Sequence, residues 1–123
     1  MKHPKWLATA VVTAIHDEAI YEFGGLAGIR DFGLLESALD RPKSTLFELA
    51  ATLCVGLAKN RPFIDCNKRT ALLATRAFLF LNGYALEPTE EDEVLTMVAV
   101  ADSSLSQQQL ADWLRRHCSR AKP

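Results

Sequence analysis

The chain has 123 residues, 49% of them apolar and 24% charged, with a formal net charge of −1. That size and apolar fraction suit one domain, 1–123, with a core that needs no covalent staples. A balance so close to neutral excludes the broad basic field of a non-specific nucleic-acid binder. No apolar run approaches the ~20 residues of a membrane span and the amino end lacks a signal-peptide pattern, so a cytoplasmic protein making no direct contact with nucleic acid or membrane is expected.

Hydrophobic spacing predicts helix after helix. Ala8, Val11, Val12, Ile15 and Ala19 recur at helical intervals from about Trp6 to Phe23, where Gly24-Gly25 stops the helix. His16 and Asp17 fall on its rim with no partner histidines at useful spacing, and read as structural or surface polar residues. Asp31 is a good N-cap for a short helix bearing Leu34, Leu35, Ala38 and Leu39, ended by Pro42. Thr45 with Glu48 has the capping-box pattern ahead of a third helix striped by Leu46, Leu49, Ala50, Leu53 and Leu57.

The segment from Asn67 to Leu81 is apolar on nearly all sides, which places it at the centre of a bundle, and Asn82-Gly83 ends it. A short strand fits Tyr84–Leu86. Thr89 with Asp92 opens a fifth helix carrying Val94, Leu95, Val98 and Ala101, whose acidic start at Glu90–Glu93 suits the helix dipole. Ser106 with Gln109 opens a sixth, with Trp113 expected in the core. The fold class is therefore all-α, a bundle of about six helices around a central apolar one. Cys54, Cys66 and Cys118 are odd in number and unpaired in spacing, which argues against a disulfide framework and a zinc site. Cys54 reads as a small core residue.

Between the third and fourth helices lies the stretch Lys59 to Arg69, KNRPFIDCNKR. It combines one acid, Asp65, a small residue, Cys66, a helix-starting amide, Asn67, and the cations Lys59, Arg61, Lys68 and Arg69. A carboxylate can hold Mg2+, free amides at a helix start can cradle phosphate oxygens, and lysine with arginine can neutralise what remains. A plain structural reading makes Pro62 a helix stop, Asp65 or Asn67 a cap, and the basic pair a solvated first turn. Two features weigh against it: cations at a helix start oppose the macrodipole, and Phe63 with Ile64 would anchor the loop backbone. Cys66 could be a thiol acidified by its cationic neighbours, or a small residue where glycine or alanine would also fit.

Arg61-Pro62-Phe63-Ile64-Asp65-Cys66-Asn67-Lys68-Arg69-Thr70-Ala71 resembles the signature of the Fic/Doc family, in particular its death-on-curing toxin branch, whose pattern reads His-x-Phe-x-Asp/Asn-Gly/Ala-Asn-Lys-Arg. The likeness continues through His16-Asp17-Glu18, Phe23-Gly24-Gly25-Leu26, Gly28-Ile29-Arg30-Asp31, Gly33–Ala38 and Leu57–Asn60, in the same order and over nearly the whole chain. There are departures. Arg61 stands where the family has its histidine, Cys66 where glycine or alanine is usual, and Leu72 and Leu73 where many relatives carry a further polar or basic residue. The segment between Arg41 and Leu46 is shorter than in relatives.

The resemblance implies a Fic fold and a site in which Asp65 holds Mg2+ against the phosphates of ATP. In that site Cys66 and Asn67 form an anion nest with the Asn67 side chain, Lys68 and Arg69 neutralise the group in transfer, Phe63 anchors the loop, and Lys59 lies within reach of the nucleotide. Lys68, where AMP-transferring Fic enzymes have a second glycine, points to phosphoryl transfer, and the same resemblance implies a hydroxyl of elongation factor Tu as the substrate and an antitoxin whose C-terminal segment folds on binding. AMP transfer is the alternative activity. Arg61 occupies the place of the general base, and a guanidinium has no lone pair with which to accept a proton, so an impaired toxin is expected. Two other readings stand beside it: a non-catalytic module binding nucleotide or antitoxin, and a reactive-thiol protein using Cys66.

Overall fold

The computed structural model describes residues 6–39 and 45–121. The expected stop at Pro42 and most of the segment between Arg41 and Leu46 lie outside them. In chain order the elements are α1 (Thr9–Phe23), α2 (Phe32–Ala38), α3 (Leu46–Asn60), α4 (Asn67–Leu81), β1 (Tyr84–Leu86), α5 (Glu90–Ala101), α6 (Gln107–His117) and β2 (Cys118–Arg120). The all-α expectation holds, with six helices among the described residues.

Most helix starts reflect their local chemistry. Asp31 Oδ1 accepts the Leu34 amide at 3.1 Å, and Thr89 Oγ1 accepts that of Asp92 at 3.1 Å. Ser106 and Gln109 form a full reciprocal capping box. Thr45 departs from the pattern: its hydroxyl donates to the Glu48 carboxylate at 2.7 Å and caps no backbone amide. α1 begins at Thr9, three residues later than the apolar spacing predicts, because Ala8 is extended and offers no side-chain cap.

The centre is shared by two helices. α4 packs on α1, α3, α5 and β1, while α3 touches α2, α4, α5 and α6. α3 buries Leu49, Ala50, Ala51, Leu53, Cys54, Leu57 and Ala58, and α4 buries Ala71, Leu72, Ala74, Phe78 and Leu79. Phe80 and Leu81 at the end of α4 are exposed, so that helix is less completely enclosed than its composition predicts.

The strand β1 is where the sequence places it, but β2 is not foreshadowed. It pairs antiparallel with β1 in the register Tyr84↔Arg120, Ala85↔Ser119, Leu86↔Cys118. That pairing folds the chain back along α4 after α6. Trp113 is buried as expected, with its indole N–H donating to Asp92 Oδ2 at 3.3 Å. The result for the site is that the loop joining α3 to α4 emerges from the two best-packed helices, with α1 beneath it and α5 beside it.

Candidate functional site

α3 ends and α4 begins in unusual backbone. Arg61, the C-cap of α3, has φ 50 and ψ 58, and Cys66, the N-cap of α4, has φ 63 and ψ 29. Both are left-handed conformations that side chains with a Cβ adopt only at a cost. Cys66 gives α4 no side-chain cap, and the first turn holds Lys68 and Arg69 with no acidic residue. The first backbone bond into this helix is from the Thr70 amide to the Cys66 carbonyl, and the amides of Asn67, Lys68 and Arg69 have no acceptor among the described residues. Neither of the usual stabilisers of a helix start is present here.

The loop is held from three sides. Asn67, largely buried, donates from Nδ2 to the Phe63 carbonyl and accepts the Phe63 amide at Oδ1, each at 3.0 Å. The carboxamide expected to line the anion nest thus also braces the loop, using one of its two N–H donors there. Phe63 is 1% exposed and lies flat on His16 of α1, ring centroids 3.8 Å apart. Phe63 thus serves as the anchor foreseen and does not line the cavity. His16, also 1% exposed, bonds through Nε2 to the Asp65 carbonyl at 3.0 Å, whereas Asp17 stays in solvent.

The third hold is the connection between α1 and α2, residues 24–31. Ile29 and Phe63 form an antiparallel bridge, and the Ile64 amide donates to the Gly28 carbonyl at 3.0 Å. The amides of Arg30 and Asp31 both reach the Pro62 carbonyl. The Arg30 guanidinium closes the end of α3, with Nε donating to the Arg61 carbonyl and Nη2 to the Asn60 carbonyl, each at 2.8 Å. Gly25 is required here: its φ is +120, and a Cβ there would stand 3.1 Å from Asp65 Oδ2.

Beside the loop opens a cavity of about 470 Å³. Lys59, Arg61, Asp65, Cys66, Asn67, Lys68 and Arg69 form one wall, so the structure brings together every residue of the expected site except the buried Phe63. Arg69 is oriented by the Phe23 ring, over which its guanidinium lies at 4.2 Å. The opposite wall was not anticipated. Val94, Met97, Val98 and Ala101 of α5 supply an apolar face, and Glu93 a carboxylate that pairs with Arg76.

Asp65 Oδ1 accepts the Cys66 amide at 2.8 Å and Oδ2 faces the Leu26 amide at 3.4 Å. Each oxygen keeps a lone pair, and the side chain is exposed at the cavity. Among the described residues there is no group of three or more His, Cys, Asp or Glu able to cage a metal alone. This donor set fits a hard cation such as Mg2+ that takes its remaining ligands from phosphate oxygens and water. Cys66 is not acidified. Burial and then the Asp65 carboxylate raise its thiol above the ordinary value, outweighing Arg69 and a bond to Thr70. Burial likewise pushes Cys54 and Cys118 up to about 11.

A sequence model of the Fic/DOC family matches residues 6–79, which span α1 to most of α4 and include the whole loop and both elements that hold it. The chain belongs to the Fic/DOC family. It is similar to the protein described as "Protein kinase doc" of Escherichia phage P1, with 38% identity over 111 residues covering 84% of this chain and 87% of that one. It is also similar to "Toxin Doc" of Mycolicibacterium smegmatis, with 36% identity over 96 residues, 68% of this chain and 74% of that one. Arg61, at the head of the loop, is exposed on the cavity wall and fixed through its carbonyl by Arg30.

Proposed function

We propose that this Fic/DOC chain is a Doc-type toxin, a transferase whose cavity grips the phosphates of ATP at the start of α4. The observation that carries this reading is the coincidence, on one open wall, of the unpaired amides of residues 67–69, Lys68, Arg69 and a single available carboxylate. Only the Cys66 amide is already taken by the protein's own acid, and the cavity leaves space beside it. The relative described as a protein kinase favours transfer of the terminal phosphoryl group over transfer of AMP.

In such a reaction the hydroxyl oxygen of the target forms a bond to the terminal phosphorus while the bond to the bridging oxygen breaks. The hydroxyl proton must leave. Lys68 and Arg69 would hold the equatorial oxygens of the group in transfer, and Lys59 would add positive charge farther along the wall. When bound, Mg2+ would neutralise charge on the phosphate oxygens, with Asp65 as its protein ligand. Arg61 cannot take the proton, and losing a positioned base costs ~10² to 10⁴ in rate. Nucleotide affinity and turnover therefore separate in this chain: ATP binds and little phosphate moves.

The proposed target is elongation factor Tu and the proposed neutralising partner an antitoxin segment that folds on binding, in keeping with the relative described as a toxin. The exposed Val94, Leu95 and Val98 on α5, continuous with the apolar wall, suit the apolar side of such a segment. A cytoplasmic setting is proposed with it; no helix among the described residues is long and apolar enough to cross a membrane.

The test is Arg61→His, assayed for label transfer to elongation factor Tu from ATP carrying the label at the terminal or at the innermost phosphorus. Transfer of the terminal label, gained by ~10² or more over the arginine form, is the expected result. Transfer of the innermost label would mean AMP transfer. No gain with either label, together with loss of nucleotide or antitoxin binding in Arg69→Ala, would favour the second reading that the missing base at position 61 suggests, a binding module without catalysis.

A further inference from the structure

α1 carries a buried imidazole that the proposed chemistry does not use. The ring of His16 lies on that of Phe63 with an interplanar angle of 6°. A carbonyl oxygen can only accept, so the 3.0 Å contact with Asp65 requires the proton on Nε2. That carbonyl shares a planar trans peptide with the Cys66 amide, and the two groups therefore point in opposite directions. With the carbonyl drawn down onto α1, the amide is turned toward the cavity, where it meets Asp65 Oδ1 at 2.8 Å.

The opposite arrangement has something in its favour. Rotating the 65–66 peptide would carry Cys66 out of its φ of 63 toward the negative values a residue with a Cβ prefers. It would also aim the Asp65 carbonyl, an electron-rich oxygen, at any phosphate in the cavity. Against that rotation stands the imidazole N–H, which would be left buried against Phe63 without an acceptor.

We infer that His16 is a positioning residue, a latch on the 65–66 peptide that keeps the Cys66 amide and the Asp65 carboxylate directed into the cavity. The inference rests on the reading of that cavity as a phosphate site. The hydrogen bond and the ring stack can be separated: His16→Phe keeps an aromatic ring on Phe63 and removes the donor, and His16→Gln keeps a donor of similar reach and removes the ring. Val12→Ala, in the fully buried core one turn earlier on α1, controls for loss of stability alone.

The experiment combines Mg-ATP titration with amide NMR of the ligand-free proteins. His16→Phe should weaken Mg-ATP binding roughly tenfold and displace the Cys66 amide resonance. His16→Gln should restore both, and Val12→Ala should lower the melting temperature without either effect. An unmoved Cys66 amide in His16→Phe, failure of His16→Gln to restore it, or the same losses in Val12→Ala would overturn the latch. If the unaltered protein does not bind Mg-ATP, the phosphate reading fails, while the Cys66 amide of the ligand-free variants still decides the latch.

Discussion

Replacing Arg30 with alanine removes the only side chain seen to close the end of α3 among the described residues. Two carbonyls at a helix C-terminus, those of Asn60 and Arg61, then lose a charged donor at 2.8 Å each. Hydrogen bonds to charged groups contribute ~1.5 to 3 kcal/mol, but this pair is exposed to solvent, which brings each to about 0.5 to 1 kcal/mol. The favourable position of a cation at a helix end adds ~0.3 to 1 kcal/mol. The sum is about 2 kcal/mol. For a chain of this size ~1 kcal/mol moves the melting temperature by about 4 °C, so Arg30→Ala should melt about 8 °C lower in a calorimetric scan. Arg30→Lys keeps the charge and loses the fork, and should recover less than half of that. The strain at Arg61, φ 50, should release at the same time, seen as faster amide hydrogen exchange at residues 59 to 61. A melting temperature within about 1 °C of the parent, with exchange unchanged, would refute the idea that this guanidinium fixes position 61.

Asn67→Asp keeps an acceptor for the Phe63 amide but sets a carboxylate oxygen against the Phe63 carbonyl, at a cost of about 2 to 4 kcal/mol at neutral pH. A protonated carboxyl can donate there as the amide does, so the introduced group has a raised pKa in the folded state. The penalty should shrink as pH falls through that value, which urea titrations at several pH values would track. Cys66→Gly should raise stability by about 0.5 to 1 kcal/mol, because relief at φ 63 exceeds the entropy lost with glycine; a destabilised variant in chemical denaturation would contradict this. Iodoacetamide should modify Cys66 no faster than a free cysteine at pH 7, with the rate climbing as pH rises toward the elevated thiol value. Fast, selective labelling of Cys66 at neutral pH would revive the reactive-thiol reading.

The six helices could be read from the sequence because their signals are local. Asp31, Thr89 and Ser106 cap α2, α5 and α6, and Gly24 and Asn82 end α1 and α4. The motif residues that share the cavity wall could be grouped for the same reason, being contiguous. Contacts across long stretches of chain escaped. His16 reaches Asp65 over 49 residues, and Arg30 reaches Arg61 over 31. Apolar periodicity carries no information about such partners. A weak signal was present for His16, which continues the buried stripe of Val12 and Ala19 and so lies on the inner face of α1, not at its rim. Glu93 offered a similar hint, one turn before the buried Met97 and therefore on the inner side of α5. The strand β2 gave no such hint. Cys118, Ser119 and Arg120 come directly after a helix and become a strand only because Tyr84–Leu86 offers an edge.

The loop at 61–69 breaks several local rules in one place, and the breaks share a direction. Among the described residues, non-glycine positive φ occurs at Arg61, Cys66 and Ser103, and the first two bracket the connection between α3 and α4. Each costs ~1 to 2 kcal/mol, and Lys68 and Arg69 at the positive end of α4 cost ~0.3 to 1 kcal/mol apiece. Together that is about 3 to 6 kcal/mol, a large part of the ~5 to 15 kcal/mol by which a domain is stable. Burial of Phe63, the double bond of Asn67 and the grip of Arg30 offset it within the fold. A connection with no ligand to hold could shed the electrostatic part of that cost with acids in place of the cations at positions 68 and 69. The anion of the proposed function would account for why it has not. Negative charge beside α4 turns the dipole and lysine–arginine terms from unfavourable to favourable, and it satisfies amides that nothing among the described residues satisfies. The backbone strain is untouched by that exchange, which is why the loop needs His16, Asn67 and Arg30 whether or not a nucleotide is bound.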